Sequence, residues 1–327
     1  MKVMVFGTRQ EEREIIEKQA ALYGYEVCMR SDFLTEANVQ ETKGCEAVCI
    51  VVNCRITRTM AHTMSQAGVK YILTRAAGTD HLDVEAIREY GMQTANVPFY
   101  SPNAVSEHTI LLTLAALRHF KEQIRRTAKY DFSIAGLEGR ELRNMTVGVI
   151  GAGRIGCATI CGLKGFGCRI LAYDQRKQEE IREDVSYVSR ETVLAESDVL
   201  IFHCPLTKET YHMICENTIE KCKDGVVLIN CARGGIIDSK AVLKALKSGK
   251  IGALAMDVYE QEDSFLRKDM SVQGLQDGVF KELTDREDVI YTSHTAFYTD
   301  EAISNMIETS FKNLYEYEKS GKCENEV

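Results

Sequence analysis

Several polar residues of this 327-residue chain stand where an apolar run stops. Arg233 follows VVLIN in GVVLINCARGGIID, and Asp257, Glu260 and Glu262 follow IGALAM in IGALAMDVYEQE. His203 closes the run in SDVLIFHCP, and His294 closes DVIYTSH. An arginine fork grips a carboxylate through two parallel hydrogen bonds. A histidine beside a carboxylate is a general acid and base. Together these types describe a site that holds a carboxylic acid and moves a proton on it. Spacing alone leaves both His294 and His203 open for that role, and leaves Asp257, Glu260 and Glu262 open as its partner. His62, His81, His108, His119 and His212 fall in helical or loop stretches, where an ordinary structural histidine accounts for each.

A second constellation precedes these residues. MTVGVIGAGRIGCATICGLKGFGCRILAYD, from Met145 to Asp174, reads as strand, glycine turn, helix and strand. Gly151, Gly153 and Gly156 form GxGxxG, which lets a helix N-terminus meet a pyrophosphate through backbone N–H groups. Asp174 ends the second strand, where a carboxylate accepts from ribose hydroxyls and repels a 2′-phosphate. NAD is therefore expected in preference to NADP, although Arg176 lies close enough to meet a phosphate.

In open α/β sheets, the residues that act on ligands sit at the C-terminal edge of the strands. Two βα series supply such edges. KVMVFG, YEVCMR, CEAVCIVV, VKYILTRAAG and MQTANVP read as the strands of a first parallel sheet. TVGVIG, CRILAYD, SDVLIFHCP, GVVLINCARGG, IGALAMDVYE and DVIYTSH read as six strands of a second, doubly wound sheet. Between them SPNAVSEHTILLTLAALRHFKEQIRR reads as one long helix, with Ser101 as N-cap and Pro102 at its first position. Its first half is apolar nearly all round, as in a helix buried against another domain or subunit. Residues 99–102 are the expected first crossing between domains, and one helix after Thr295 returns to the first. The expected fold is α/β, with two Rossmann-like or flavodoxin-like doubly wound parallel-sheet domains and an active-site cleft between them. Residues 1–100 plus 296–327 form the substrate-binding domain, and 101–295 the NAD-binding domain.

Bulk properties narrow the partners. The formal net charge is −8 and no basic run tracks a phosphate backbone, so nucleic acid is not expected. The longest apolar stretch, AVSEHTILLTLAAL, is broken by Glu107 and His108 and is too short to span a bilayer. MKVMVFG runs straight into EEREIIEK, without the apolar core and cleavage site of a signal peptide. The twelve cysteines show no CxxC spacing, and the pairs Cys45/Cys49 and Cys157/Cys161 have no histidine partner at metal-like distance. They read as free thiols in a reducing cytoplasm, with no metal.

The ordered set GAGRIG, YD, HCP, NCARGG, MDVYEQE and SHTAFYT resembles the D-specific 2-hydroxyacid dehydrogenases, in particular the D-lactate dehydrogenases. NVPFYSPNAVSEHT resembles their hinge, and the likeness covers nearly the whole chain. MTVGVIGAGRIG, GFGCRILAY and HTAFYT bring it near the vancomycin-resistance subgroup, which tends to lack an acid at the Asp174 position. The resemblance implies Arg233 as clamp of the substrate carboxylate and carbonyl, His294 as acid and base, and Glu262 as its partner. Glu262 is preferred to Glu260 because the family acid stands five residues after the Asp257 position. His203 becomes a crevice residue. Gly151, Gly153, Arg154, Ile155, Gly156, Asp174, Cys204, Pro205, Thr210, Cys231, Ala232 and Asp257 would contact the dinucleotide, with Asp257 on the nicotinamide amide side. Ala77 and Gly78 would offer N–H groups to the substrate carboxylate, and Tyr100 would line its pocket. A homodimer through the helix after the hinge is implied as well. The implied activity is NADH-dependent reduction of a small 2-keto acid, with pyruvate first, to the D-hydroxy acid. Dehydrogenases of D-2-hydroxyisocaproate and phenyllactate share this skeleton. A dinucleotide-sensing, corepressor-like binding protein is the alternative of another class.

Overall fold

The computed structural model describes every residue except those at positions 177, 179, 180, 182 and 184. It divides into two compact units, Met1–Ser101 with Tyr298–Val327, and Pro102–Phe297. In the first unit, β1 (Lys2–Val5), β2 (Glu26–Met29), β3 (Ala47–Ile50), β4 (Tyr71–Thr74) and β5 (Gln93–Ala95) form a parallel sheet in the order β2-β1-β3-β4-β5. Its middle strand, β3, is buried at every residue, as expected of a parallel sheet covered on both faces. α1 (Arg13–Tyr23), α2 (Arg58–Gln66) and α3 (Val84–Glu89) connect the strands.

The second unit begins with α4 (Pro102–Leu117) and α5 (Phe120–Thr127), where the sequence reads as a single helix. His119 adopts a left-handed backbone, φ 51°. Two contacts from a later segment hold the break open. The Arg140 amide donates to the Leu117 carbonyl at 3.0 Å, and His119 Nε2 donates to the Glu138 carbonyl at 3.1 Å. Lys121 Nζ then fastens α5 to the carbonyls of Thr284, Arg286 and Val289, at 2.7, 2.6 and 2.8 Å. The break is a tertiary effect, and no local residue pattern announces it.

A seven-stranded sheet follows. It comprises β6 (Thr146–Ile150), β7 (Arg169–Tyr173), β8 (Ser186–Tyr187), β9 (Val199–Phe202), β10 (Val226–Asn230), β11 (Ile251–Met256) and β12 (Val289–Tyr291). The order is β12-β11-β10-β9-β6-β7-β8, with every pairing parallel. The strand beyond the six read from sequence is β8, a two-residue edge too short to leave a hydrophobic period. α6 (Arg154–Lys164), α7 (Arg190–Glu196), α8 (Glu216–Lys221), α9 (Ser239–Ser248) and α10 (Gly278–Asp285) intervene. The chain adds β7 and β8 on one side of β6 and returns with β9 on the other, so the winding reverses between β6 and β9. Ligands of open α/β sheets bind beyond the strand ends at such a reversal.

The chain then returns to the first unit as α11 (Asp300–Ser320), capped by the Thr299 hydroxyl and packed on α1. The buried Tyr317 donates its hydroxyl to the Thr94 carbonyl at 2.9 Å, and the Val327 amide reaches the same carbonyl at 3.0 Å.

Candidate active site

The turn after β6 is built by close approach. Gly151 has φ 98°, and a Cβ there would lie 2.5 Å from the Cys204 amide nitrogen after β9. A Cβ on Gly156 would lie 2.0 Å from the Gly151 carbonyl oxygen. Gly153 behaves oppositely: a Cβ would meet nothing within 4 Å. Gly153 also occupies the N-cap of α6, where no side chain accepts from the first-turn amides. An open N-terminus without a side-chain cap is the cradle an anionic pyrophosphate requires.

Asp174 follows β7 and braces this turn. Its Oδ2 accepts from the Ala152 amide at 2.7 Å and its Oδ1 from the Arg176 amide at 2.8 Å. Each carboxylate oxygen can accept more than one hydrogen bond, so capacity remains for ribose hydroxyls. Arg154 is exposed at the start of α6, while Ile155 packs partly into the core. Burial pushes the Cys204 thiol up to about 11 and the Cys231 thiol up to about 12. Both stay protonated at neutral pH and act as packing groups rather than nucleophiles. Ala232 is buried beside Cys231. Thr210 Oγ1 donates to the Pro205 carbonyl and accepts from the Thr207 amide, both at 2.7 Å, which fixes the loop after β9.

At the far side of the same sheet, His294 Nδ1 lies 2.7 Å from Glu262 Oε1. Glu262 Oε2 accepts from the Tyr259 amide at 2.8 Å, so both oxygens are committed. The carboxylate is 11% exposed and the imidazole 25% exposed. His294 sits at φ 53° and donates its amide to the Asp257 carbonyl at 2.8 Å. Arg267 Nη2 donates to the His294 carbonyl at 3.2 Å.

Asp257, 1% exposed, organises this loop from below. Its Oδ1 accepts from the Thr292 hydroxyl at 2.6 Å and the Thr295 amide at 2.9 Å, and its Oδ2 from the Ala296 amide at 2.9 Å. His108 on α4 joins through Thr292 Oγ1 at 2.9 Å, with Nε2 3.5 Å from Asp257 Oδ1. In the sequence His108 reads as an ordinary helical histidine. Its place seven residues along α4 gave no signal of the loop it meets.

Glu260 faces a different histidine, His212, whose Nε2 lies 2.9 Å from Glu260 Oε2. The two acids of YEQE are thus divided between two rings. Among the described residues, His203 has no carboxylate partner. Its Nε2 meets Thr159 Oγ1 at 2.9 Å, and burial pushes its pKa down to about 4, so the ring is neutral at pH 7.

Arg233 follows β10 in extended backbone, ahead of the tight turn Gly234–Ile236. Its Nη1 donates to the Ala232 carbonyl at 2.8 Å, and Asn230 Nδ2 donates to the Arg233 carbonyl at 3.0 Å. A Cβ on Gly234 would fall 2.1 Å from the Tyr259 carbonyl carbon. The Arg233 turn therefore packs backbone on backbone against the loop that carries Glu262.

Ala77, Gly78 and Tyr100 belong to the first unit. Ala77 is exposed after β4, and its carbonyl accepts from Asn96 Nδ2 at 2.7 Å. Gly78, next in the chain, is partly exposed. The Tyr100 carbonyl accepts from Asn305 Nδ2 on α11 at 2.6 Å. At the foot of the Ala77 loop, buried Arg75 pairs with buried Glu12 at 2.9 Å. Among the described residues, no group of three or more His, Cys, Asp or Glu side chains is placed to hold a metal ion. The twelve cysteines are free thiols.

Residues 110–296 match the NAD-binding domain of the D-isomer specific 2-hydroxyacid dehydrogenases. The chain belongs to that family and carries its NAD-binding domain. It is 40% identical to a D-lactate dehydrogenase of Escherichia coli K12, over the full length of both. It is 39% identical to an aromatic 2-oxoacid reductase of Clostridium sporogenes, over 100% of this chain and 99% of the other. A solved structure of D-lactate dehydrogenase from Aquifex aeolicus, complexed with NAD and lactic acid, superposes with TM-score 0.87 at 31% identity over 98% of both chains.

Proposed function

We propose that this enzyme reduces pyruvate to D-lactate with NADH, using Arg233, His294 and Glu262. The observation that carries the proposal is the 2.7 Å contact between His294 Nδ1 and Glu262 Oε1. A carboxylate only accepts, so Nδ1 bears a proton toward Glu262 and Nε2 is turned to the substrate. His294 then delivers a proton to the keto oxygen, and Arg233 holds the carboxylate and the charge that builds on that oxygen. When bound, NADH supplies the hydride to the keto carbon. Gly153 and the first turn of α6 would hold the pyrophosphate, and Asp174 the adenosine ribose. Ala77, Gly78 and Tyr100 would complete the substrate pocket. The domains of the proposal are 1–100 plus 296–327 for substrate and 101–295 for NAD.

A second reading takes larger, aromatic 2-oxo acids. The reductase of Clostridium sporogenes supports it, because its 39% identity nearly equals that of the lactate enzyme. The test is NADH oxidation with pyruvate, 2-ketoisocaproate and phenylpyruvate. A kcat/KM highest for pyruvate supports the first reading, and one highest for phenylpyruvate replaces it with the second. NADPH in place of NADH should be used poorly, since Asp174 opposes a 2′-phosphate. Equal use would remove Asp174 from the argument.

We place the enzyme in the cytoplasm as a homodimer. Twelve free thiols support a reducing compartment, and among the described residues no helix is long and apolar enough to cross a membrane. Leu111 on α4, Phe120 and Ile124 on α5, and Tyr130, Phe132 and Ile134 beyond it are large apolar side chains left exposed. Arg126 binds the Ala135 carbonyl at 2.8 Å and so ties this segment to α5. A second copy covering these side chains accounts for them. Light scattering should then give twice the 36.7 kDa chain mass.

A further inference from the structure

The second histidine–glutamate pair has no part in the proton transfer, yet it joins three loops of the site. His212 sits at φ 47° between β9 and α8. Its amide donates to the Gly235 carbonyl at 2.8 Å, two residues beyond Arg233. The Ile214 amide donates to the Ile236 carbonyl at 3.1 Å, and the Asp238 amide returns to the Ile214 carbonyl at 2.9 Å. The backbone around His212 therefore clamps the outer side of the Arg233 turn. The ring reaches the other way. Nε2 lies 2.9 Å from Glu260 Oε2, while Glu260 Oε1 accepts from the Ser239 amide at 3.2 Å. Glu260 stands two residues before Glu262, whose carboxylate holds His294.

A continuous path results, from the Arg233 turn through His212 and Glu260 to Glu262 and His294. The backbone contact of Gly234 against Tyr259 closes the same gap from the inside. That contact has no side chain and resists only compression. The His212–Glu260 bond resists separation. Without it, the tie from the Ser239 amide to Glu260 Oε1 remains, but the Arg233 turn is held less firmly against the loop that carries Glu262.

We infer that His212 and Glu260 are a positioning pair, which sets the distance between the carboxylate-binding Arg233 and the Glu262–His294 acid. The inference rests on the reading of Arg233 given above. Geometry at this level matters to rate, since a displacement of ~1 Å far from the chemistry can cost about 10²-fold.

The test compares His212→Ala, Glu260→Ala, the double variant and His212→Gln, with Arg233→Lys as the benchmark. NADH affinity by fluorescence titration and the thermal midpoint are measured beside KM and kcat for pyruvate. Each alanine variant should raise KM for pyruvate by about tenfold, with NADH affinity held within about twofold. The double variant should be no worse than Glu260→Ala, which already removes the bond that His212→Ala removes. His212→Gln keeps an N–H donor for Glu260 and should return KM to within about threefold of the wild type. A lowered thermal midpoint with unchanged KM in both alanine variants overturns the inference, leaving a purely structural bond. Additive losses in the double variant overturn it too. If Arg233→Lys leaves KM unchanged, the reading of Arg233 fails first and takes the inference with it. If Arg233→Lys raises KM and the alanine variants do not, the positioning role alone fails.

Discussion

His294 and His203 stand just past the ends of two strands of one sheet, β12 and β9, and they have opposite surroundings. His294 is partly exposed and faces a carboxylate 2.7 Å away. His203 faces the Thr159 hydroxyl, and burial drives its pKa down to about 4. A hydroxyl adapts to either tautomer, whereas a carboxylate demands a proton on the nitrogen that faces it. Position at a strand end therefore makes a histidine available to a ligand. The group behind the ring decides whether it does chemistry.

The largest effect should come from removing His294. A positioned general acid contributes about 10²–10⁴-fold, so His294→Gln should lower kcat for pyruvate reduction within that range. NADH affinity should hardly change, because the glycine turn and Asp174 lie at the ends of β6 and β7. Steady-state kinetics with a parallel NADH titration checks both. A variant that keeps a tenth of wild-type kcat would remove His294 from the acid role and reopen the comparison.

Replacing Glu262 should cost less and acts through His294. Glutamine looks conservative, but the geometry makes it otherwise. Glu262 accepts two hydrogen bonds, from His294 Nδ1 and from the Tyr259 amide at 2.8 Å. A glutamine amide has one oxygen, so one of the two donors must face an NH₂ group. Glu262→Gln should lower kcat by about tenfold to a hundredfold, with a smaller change in KM, as the ring loses its fixed orientation. Glu260→Gln should leave kcat much closer to wild type, since Glu260 meets His212 and not His294. A larger kcat loss from Glu260→Gln than from Glu262→Gln would reverse the assignment of the two acids.

That assignment marks how far the sequence could be read. Strands such as AVCI in the first sheet, and VLIF and VVLIN in the second, are apolar runs that follow a glycine or a charge, so both parallel sheets were legible from hydrophobic pattern alone. β8 was not, because two residues carry no period. The break between α4 and α5 was hidden for another reason: Arg140 and Glu138, which hold it, lie some twenty residues downstream. Arg233 and His294 stand out as candidates because strand ends face ligands, but spacing could not choose among Asp257, Glu260 and Glu262, and Glu262 follows from the family resemblance. Only the fold shows that each acid has its own histidine. Asp257 shows the same limit. Its sequence position places it at a strand end, while its grip on Thr292, Thr295 and Ala296 depends on β11 and β12 lying side by side.

The smallest expected effect concerns His203 and is read in stability, not rate. Its pKa falls from 6.5 to about 4 on folding, because burial disfavours the charged ring. Between these values the unfolded chain binds a proton that the folded chain refuses, so stability rises with pH across the window. The contribution is fully present above about pH 6.5 and is lost as pH falls toward 4. Between pH 7 and pH 5 it amounts to about 1–2 kcal/mol, at the lower end where solvent reaches the ring. Other groups titrate in the same range, so the wild-type slope alone does not isolate His203. The difference from His203→Gln does, because glutamine has no proton to take up and still offers Thr159 a polar partner. Urea unfolding followed by circular dichroism suits a chain without tryptophan. The wild type should lose about 1–2 kcal/mol more than the variant between pH 7 and pH 5. Equal losses would mean that the folded protein accepts a proton on His203. The ring would then be charged near pH 5 without a carboxylate beside it, and the contrast with His294 would no longer rest on desolvation.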